Sequence, residues 1–351
     1  MPLEEPGWWY GTTRGGSLAE RLLTPFGDLY GAAVARRFRA AVPYRSALPV
    51  ICVGNFTAGG TGKTPLTRFL IEALRRRGIA AACLSRGYGG HLGGPVWVEP
   101  DRHTAREVGD EPLLIARGSQ DTGARVMVAR DRRAGLAAIE VAGGFAAVIM
   151  DDGLQNPSVA KDLSIAVVDA RRGFGNGRVL PAGPLRAPLS FQLGLVDCIV
   201  VMGADAATGD LSAFDRLKKL FHGPVLRGVV RPSADQHWIA GARLVAYAGI
   251  ANPERFFRLL DGFGPQSLAR HVFKDHHPFT ESDAVRLLAE AERTGAELVT
   301  TEKDLARLAG QGGALATLAA RSRTLPIAVT FEERDLVRLD ALLDGILKGR
   351  G

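Results

Sequence analysis

The stretch VGNFTAGGTGKTP, residues 53–65, constrains this chain more than any other. It follows the apolar run LPVICVG, a buried-strand candidate, and leads into a segment from Thr64 to about Arg77 that reads as a helix. A strand, a glycine-rich loop and a helix in that order make an anion cradle. Small residues let successive backbone N–H groups turn inward, and the helix adds its positive end. Gly59, Gly60 and Gly62 supply the small residues, Lys63 a charge able to reach the outer phosphates, and Thr64 a hydroxyl for Mg²⁺. Pro65 sits near the first helical position, where proline is best tolerated. The strict pattern asks for glycine at position 57, where this chain has Thr57. Thr57, Ala58, Gly59, Gly60, Thr61, Gly62, Lys63 and Thr64 are therefore the candidate nucleotide-binding residues of a variant phosphate loop, for ATP or GTP. The alternative is a glycine-rich turn that holds no ligand.

The series continues on both sides of that loop. Apolar runs at 79–85, 124–129, 145–153, 163–170 and 196–203 alternate with helix-like segments, which predicts an α/β fold of the P-loop NTPase type, a parallel sheet flanked by helices. Near residues 223–232 the rhythm restarts, and LVAYAGI, SLARHVF and ELVTTEKD, with helices between, predict a second, smaller α/β lobe. The expected divisions are 1–47, an N-terminal helical segment; 48–222, the kinase-like core; and 223–351, the second lobe. In the first, Thr24 is expected to cap a helix that begins at Pro25 and carries Phe26, Leu29, Tyr30, Ala33 and Val34 near one face, ahead of Arg36, Arg37, Arg39 and Arg45. Such a helix suits a membrane interface, while the commoner use of the pattern is a helix packed on its own domain.

Length and charge bound the partners. With 351 residues, 46% hydrophobic and 23% charged, the chain is ordinary globular material. A net charge of +7 suits anionic partners in general without choosing among nucleic acid, phosphorylated substrates and acidic membranes. Cys52, Cys83 and Cys198 are widely spaced, which gives neither a disulfide framework nor a metal pattern and points to a reducing, cytosolic-side location. No apolar run approaches the ~18 residues of a spanning helix, and the first residues lack the pattern of a secretory signal.

Polar clusters at strand ends mark the other candidates. Asp151 and Asp152 end an apolar strand, where P-loop enzymes place the acid that holds Mg²⁺. Ser85, Arg86 and Tyr88, in SRGYGG, follow another strand and can meet phosphate or sugar. Asp110 and Glu111 precede an apolar helix, which they can cap or leave free for base and metal chemistry. Asp275, His276 and His277 follow a strand, where a histidine beside an aspartate suits a base-orienting role. The glycine- and arginine-rich loop 171–188, with Arg186, suits an anionic substrate.

In order along the chain, VGNFTAGGTGKTP, SRGYGG, VGDEPLLIA, DDGLQNPSVAKDLSIAVVDA, GFGNGRVLPAGPLR, AGIANPERFF, DHHPFT and TTEKDLARL closely resemble the tetraacyldisaccharide 4'-kinase family, the lipid A 4'-kinases of Gram-negative bacteria. That resemblance implies transfer of the γ-phosphate of ATP, with Mg²⁺, to the 4'-hydroxyl of an acylated disaccharide 1-phosphate, forming lipid IVA. It implies work at the cytoplasmic face of the inner membrane, on a lipid substrate met through the N-terminal helix, with no nucleic acid and no evident protein partner. Carried over by motif, it implies Asp110 as the base, assisted by His276, with Lys63 on the phosphates. It likewise implies Thr64, Asp151, Asp152 and Glu111 on the metal side, and it leaves Ser85, Arg86, Tyr88 and Arg186 as candidate substrate contacts. The family usually reads D-D-G-F-Q-H where this chain has DDGLQN, with Leu154 and Asn156. Two other readings are a nucleotide-driven switch protein, against which stands Ala58 where such proteins commonly carry a second lysine, and a soluble kinase of a small metabolite.

Overall fold

The computed structural model describes residues 6–11, 18–203, 212–233 and 235–349, so residues 1–5 and 12–17 of the expected N-terminal segment lie outside the described residues. Thirteen strands run in chain order: β1 Val50–Asn55, β2 Ala81–Ser85, β3 Val96–Trp97, β4 Arg125–Val128, β5 Ala147–Asp151, β6 Leu163–Asp169, β7 Cys198–Met202, β8 Val225–Pro232, β9 Arg243–Ala248, β10 Ser267–Val272, β11 Glu297–Thr300, β12 Ser322–Thr324 and β13 Ile327–Phe331. Nine of them form one sheet in the order β13-β8-β7-β6-β1-β5-β2-β4-β3. Its seven inner strands are parallel, and the short β3 and the returning β13 close the two edges antiparallel.

The inner strands are buried on both faces, which is why they read as continuous apolar runs. In β1, Ile51 and Val53 point into one core with Leu66 and Leu70 of the helix Lys63–Arg76, Leu113 of the helix Asp110–Gly118 and Leu339 of the helix Glu333–Lys348. Val50 and Cys52 point into the opposite core, with Leu136 of the helix Arg132–Ala142 and Leu217 of the helix Ser212–Leu220. This is the expected α/β class, with helices on both sides of a parallel sheet.

The second sheet is all parallel, in the order β10-β9-β11-β12. Its helices Pro253–Asp261, Glu281–Thr294 and Gly313–Arg321 cover its two faces, around Leu244 and Ala246 on one and Val245 and Tyr247 on the other. The expected division at residue 222 is corrected here. β8 continues the first sheet in register with β7, Ile199 opposite Val225, and β13 pairs along β8 after the second lobe is complete. The smaller lobe is thus an insertion between β8 and β13, and the chain returns from it to protect the edge of the large sheet.

The N-terminal helix also differs from expectation. Among the described residues it spans Leu18–Ala40, so Pro25 lies inside it. The Thr24 hydroxyl, expected to cap an N-terminus, donates instead to the Glu20 carbonyl one turn back at 2.8 Å. Gly27 and Gly31 are its buried positions. A Cβ on Gly27 would sit 2.6 Å from the Val179 carbonyl oxygen, and one on Gly31 would sit 2.9 Å from Cδ of Pro188. The helix therefore docks by its glycine face on the loop that precedes residue 188, and turns Leu18, Leu22, Phe26 and Leu29 to solvent, each more than 60% exposed. Among the described residues, no helix is long and apolar enough to cross a membrane.

Candidate active site

The candidate phosphate loop joins β1 to the helix Lys63–Arg76. Gly59 and Gly62 take φ of 91° and 97°, angles that a side chain would strain. Asn55 at the end of β1 donates from Nδ2 to the Gly59 carbonyl at 3.2 Å and pins the loop. Two buried polar atoms here, Asn55 Oδ1 and Thr61 Oγ1, have no hydrogen-bond partner among the described residues. Such orphans are costly in a finished interior, and they suit a cradle that completes its bonds on a polar ligand. The Ala58 amide is already committed to the Pro184 carbonyl at 2.8 Å. This strap from the arginine-rich loop takes Ala58 out of the cradle and leaves Gly59 to Thr64.

Lys63 is buried, and its Nζ lies 3.7 Å from Asp152 Oδ1. Arg186, expected among the substrate contacts, donates to the same oxygen at 2.7 Å and so holds Asp152. Burial works against that carboxylate, but Arg186 and Lys63 keep it well below the usual carboxylate range. Asp151 is the opposite case. Burial, reinforced by the negative charge of Glu111, pushes its carboxyl up to about 7, and Thr67 Oγ1 donates to it at 3.3 Å. An acid left with surplus negative charge fits a hard divalent cation. Among the described residues no three acidic, histidine or cysteine side chains converge as a protein-only metal cage. Magnesium at a kinase centre does not need one, because phosphates and waters complete its shell.

Asp110 and Glu111 open the helix Asp110–Gly118, and both face the second lobe. His276 reaches Asp110 from the loop after β10, Nδ1 to Oδ2 at 3.3 Å. Its hydrogen bond to Asp110 raises the imidazole pKa. Tyr88 lies edge-on to that ring, centroids 5.6 Å apart. Asp152 and His276 are the non-glycine residues with left-handed backbone among those described, at φ of 50° and 58°. Strain of this kind gathers where a side chain must be aimed, and here both cases fall in one cleft. Of the remaining candidates, Ser85 is buried at the end of β2, and Arg86 lines a surface cavity of about 280 Å³ with Tyr88 and Arg130. His277 turns away to Asp283, at 3.0 Å.

Sequence reasoning missed the second lobe's cations. The helix Glu302–Leu308, which follows β11, carries Lys303 and Arg307. Lys303 Nζ pairs with Glu111 Oε1. Arg307 grips Asp110 Oδ2 with Nη2 at 2.5 Å and Nε at 3.0 Å, while its Nη1 holds the Gly249 carbonyl at 2.6 Å and Asp304 at 2.8 Å. Burial favours the protonated form of Asp110, but His276, Lys303 and Arg307 together hold it far below the usual range. Arg255, at the start of the helix Pro253–Asp261, also arrives from this lobe; its Nη1 would lie 3.6 Å from a Cβ on Gly62. The spacing of Lys303 and Arg307, one helical turn apart after a strand, was the available signal.

A family model for tetraacyldisaccharide-1-P 4'-kinases matches residues 19–346. The chain belongs to that family. The tetraacyldisaccharide 4'-kinase of Nitrobacter winogradskyi is 45% identical over 349 residues, covering 99% of each chain. That of Rhodopseudomonas palustris strain BisA53 is 47% identical over 334 residues, 94% of this chain and 93% of its own. LpxK of Aquifex aeolicus, solved in complex with ATP, shares the fold at a TM-score of 0.70 and 23% identity, covering 94% of this chain and 100% of that one. Membership makes this chain a kinase by family, of lipid A biosynthesis. The departure at DDGLQN is absorbed locally. Leu154 packs fully buried beneath Gly54, where a Cβ on that glycine would meet it at 2.5 Å. Asn156 Oδ1 accepts from the Ser158 amide at 2.8 Å and closes a turn. Gln155 Nε2 keeps its place, bonded to the Asn55 carbonyl at 2.7 Å.

Proposed function

We propose that this 4'-kinase phosphorylates the 4'-hydroxyl of an acylated disaccharide 1-phosphate in the cleft between its two sheets, with ATP as donor and Mg²⁺ as cofactor. The observation that carries the site assignment is the Asp110–His276 contact, formed across the lobes beside a phosphate loop. Lys63 and the amides of Gly59 to Thr64 hold the triphosphate. Thr64, Asp151 and Glu111 are the metal-side residues, with Asp152 kept in place by Arg186. A Mg²⁺ ion held there would neutralise charge on the phosphates. Asp110 orients the acceptor hydroxyl. Because a loose phosphoryl-transfer transition state asks little of the base until late, a carboxylate of low basicity suffices. His276, whose proton affinity Asp110 raises, carries the proton onward in this reading.

The acceptor is a lipid and must be met at a surface. The apolar stripe of the N-terminal helix, followed by Arg36, Arg37 and Arg39, is of the kind that lies in an anionic interface. In this reading the chain works at the cytoplasmic face of the inner membrane, bound from one side. Purified protein incubated with the acylated disaccharide 1-phosphate and γ-labelled ATP should move label into the lipid. Release of free phosphate alone, with unlabelled lipid, would refute it.

A further inference from the structure

Two acids that the proposed reaction uses are each occupied by a cation of the other lobe, and the two cations differ. Arg307 is fixed on four sides, by Asp110, Asp304, the Gly249 carbonyl and a 3.4 Å approach to His276 Nδ1. Lys303 has Glu111 as its recorded hydrogen-bond partner among the described residues. Its ammonium sits on a flexible four-carbon stem, with the side chain 24% exposed. Its charge also acts on Asp110 and Asp151. The charge of Lys63, the loop lysine, also acts on Glu111. Lys303 thus borders the space between the phosphate loop, the metal-side acids and the base.

When a divalent cation engages Glu111, Lys303 loses its counterion in a poorly solvated place. An unpaired cation in such a place is unfavourable, so it takes the next anion within reach. In a site that holds ATP, that anion is the outer phosphoryl group, between Lys63 and Asp110. We propose that Lys303 is a catalytic cation delivered by the second lobe: it neutralises Glu111 while nucleotide and metal are absent, and turns to the γ-phosphoryl oxygens of ATP when a divalent cation takes Glu111. The proposal rests on the reading of this cleft as the ATP site. It gives the second lobe a direct part in stabilising the charge that spreads over the transferred group, beyond presenting His276.

Equilibrium dialysis of the full chain with ATP and with ADP tests it without turnover. With EDTA present, Lys303 stays on Glu111, and the wild type should bind the two nucleotides with similar affinity. Glu111→Gln frees Lys303 without metal, so E111Q in EDTA should gain at least about tenfold preference for ATP. The double variant E111Q/K303M should lose that gain; it removes both charges of the pair, so no unpaired charge threatens its folding. With Mg²⁺ present, the wild type should prefer ATP, and K303M should lose about tenfold of that preference while ADP affinity stays within about threefold. If E111Q/K303M keeps the preference, relief of repulsion at Glu111 explains the gain and the proposal falls. It falls too if E111Q gains nothing, or if K303M weakens ATP and ADP equally, as a merely structural tie would. A wild type that binds neither nucleotide overturns the site reading itself.

Discussion

The exposed stripe of the N-terminal helix gives a membrane prediction whose size can be worked out. Leu22, Phe26 and Leu29 are 63%, 62% and 70% exposed, so roughly two-thirds of each side chain is left for another surface to cover. Full burial of such a side chain is worth about 2 kcal/mol. Three at two-thirds hold about 4 kcal/mol, or close to three orders of magnitude in partitioning. The triple variant Leu22→Gln, Phe26→Gln, Leu29→Gln removes that term and keeps good helix formers. It also leaves untouched the glycine face that docks on Val179 and Pro188. Binding to phosphatidylethanolamine–phosphatidylglycerol vesicles, followed by flotation, should weaken by 10²- to 10³-fold, with the melting temperature unchanged. Arg36, Arg37 and Arg39 add a salt-sensitive part, about 1 kcal/mol each near an anionic surface. Raising salt should therefore release the triple variant completely and the wild type only in part. A triple variant that floats as well as the wild type at low and high salt alike would refute the interfacial role of this helix.

Four further outcomes follow from the cleft and from the helix docking. Lys63→Ala should lower turnover at least 10²-fold in the labelled-lipid assay, since it removes the buried cation beside Asp152. Asp110→Asn should lower kcat 10²- to 10⁴-fold while ATP affinity, read by dialysis, changes less than about threefold; equal losses in both would contradict its place on the acceptor side. His276 binds its proton more tightly in the folded protein than in the unfolded chain, so its tie to Asp110 is complete below about pH 6.5 and is lost as pH rises through the raised value. Thermal melts from pH 6 to pH 9 should show the wild type losing more stability than His276→Asn, a change that keeps a residue tolerant of left-handed backbone. Gly27→Val should set a methyl-bearing carbon against the Val179 carbonyl, 2.6 Å away, and cost about 1–3 kcal/mol of docking, seen as faster hydrogen exchange along that helix.

The parts of this protein that are legible in sequence are those built from neighbours in the chain. A phosphate cradle needs its glycines, lysine and hydroxyl on consecutive residues, so residues 59–64 announce themselves, and strands buried on both faces give apolar runs that cannot be hidden. The cross-lobe pairs are invisible for the converse reason. Glu111 meets Lys303 across 192 positions, and Asp110 meets Arg307 across 197. Nothing local requires these pairs. Arg186 reads as a substrate contact because an arginine-bearing, glycine-rich loop suits an anion; its bond to Asp152, and the strap from its loop to the phosphate loop, are long-range pairings that nothing local announces. The division at residue 222 failed because an insertion has no local signature: VLRGVVRP looks like a new beginning, and its pairing partner, β13, lies beyond the whole second lobe.

The cleft also shows how a chain keeps this many acids together before any ligand arrives. Asp152 faces Lys63 and Arg186, Glu111 faces Lys303, and Asp110 faces Arg307; of these four carboxylates Asp151 is the one with no ion pair among the described residues, and burial pushes it toward neutrality. A buried ion pair contributes little net stability, but deleting one partner strands the other at about 3–5 kcal/mol. Stability and activity are therefore entangled at every one of these positions. Arg307→Met alone strands Asp110 beside His276, and the melting temperature should fall before catalysis is even at issue. Removing the pair together, Asp110→Asn with Arg307→Met, should restore the melting temperature and leave the enzyme inactive, separating the fold's need for neutrality from the reaction's need for a carboxylate. If the double variant melts as low as Arg307→Met, the grip of Arg307 on Gly249 and Asp304, rather than charge balance with Asp110, is what holds the lobes together.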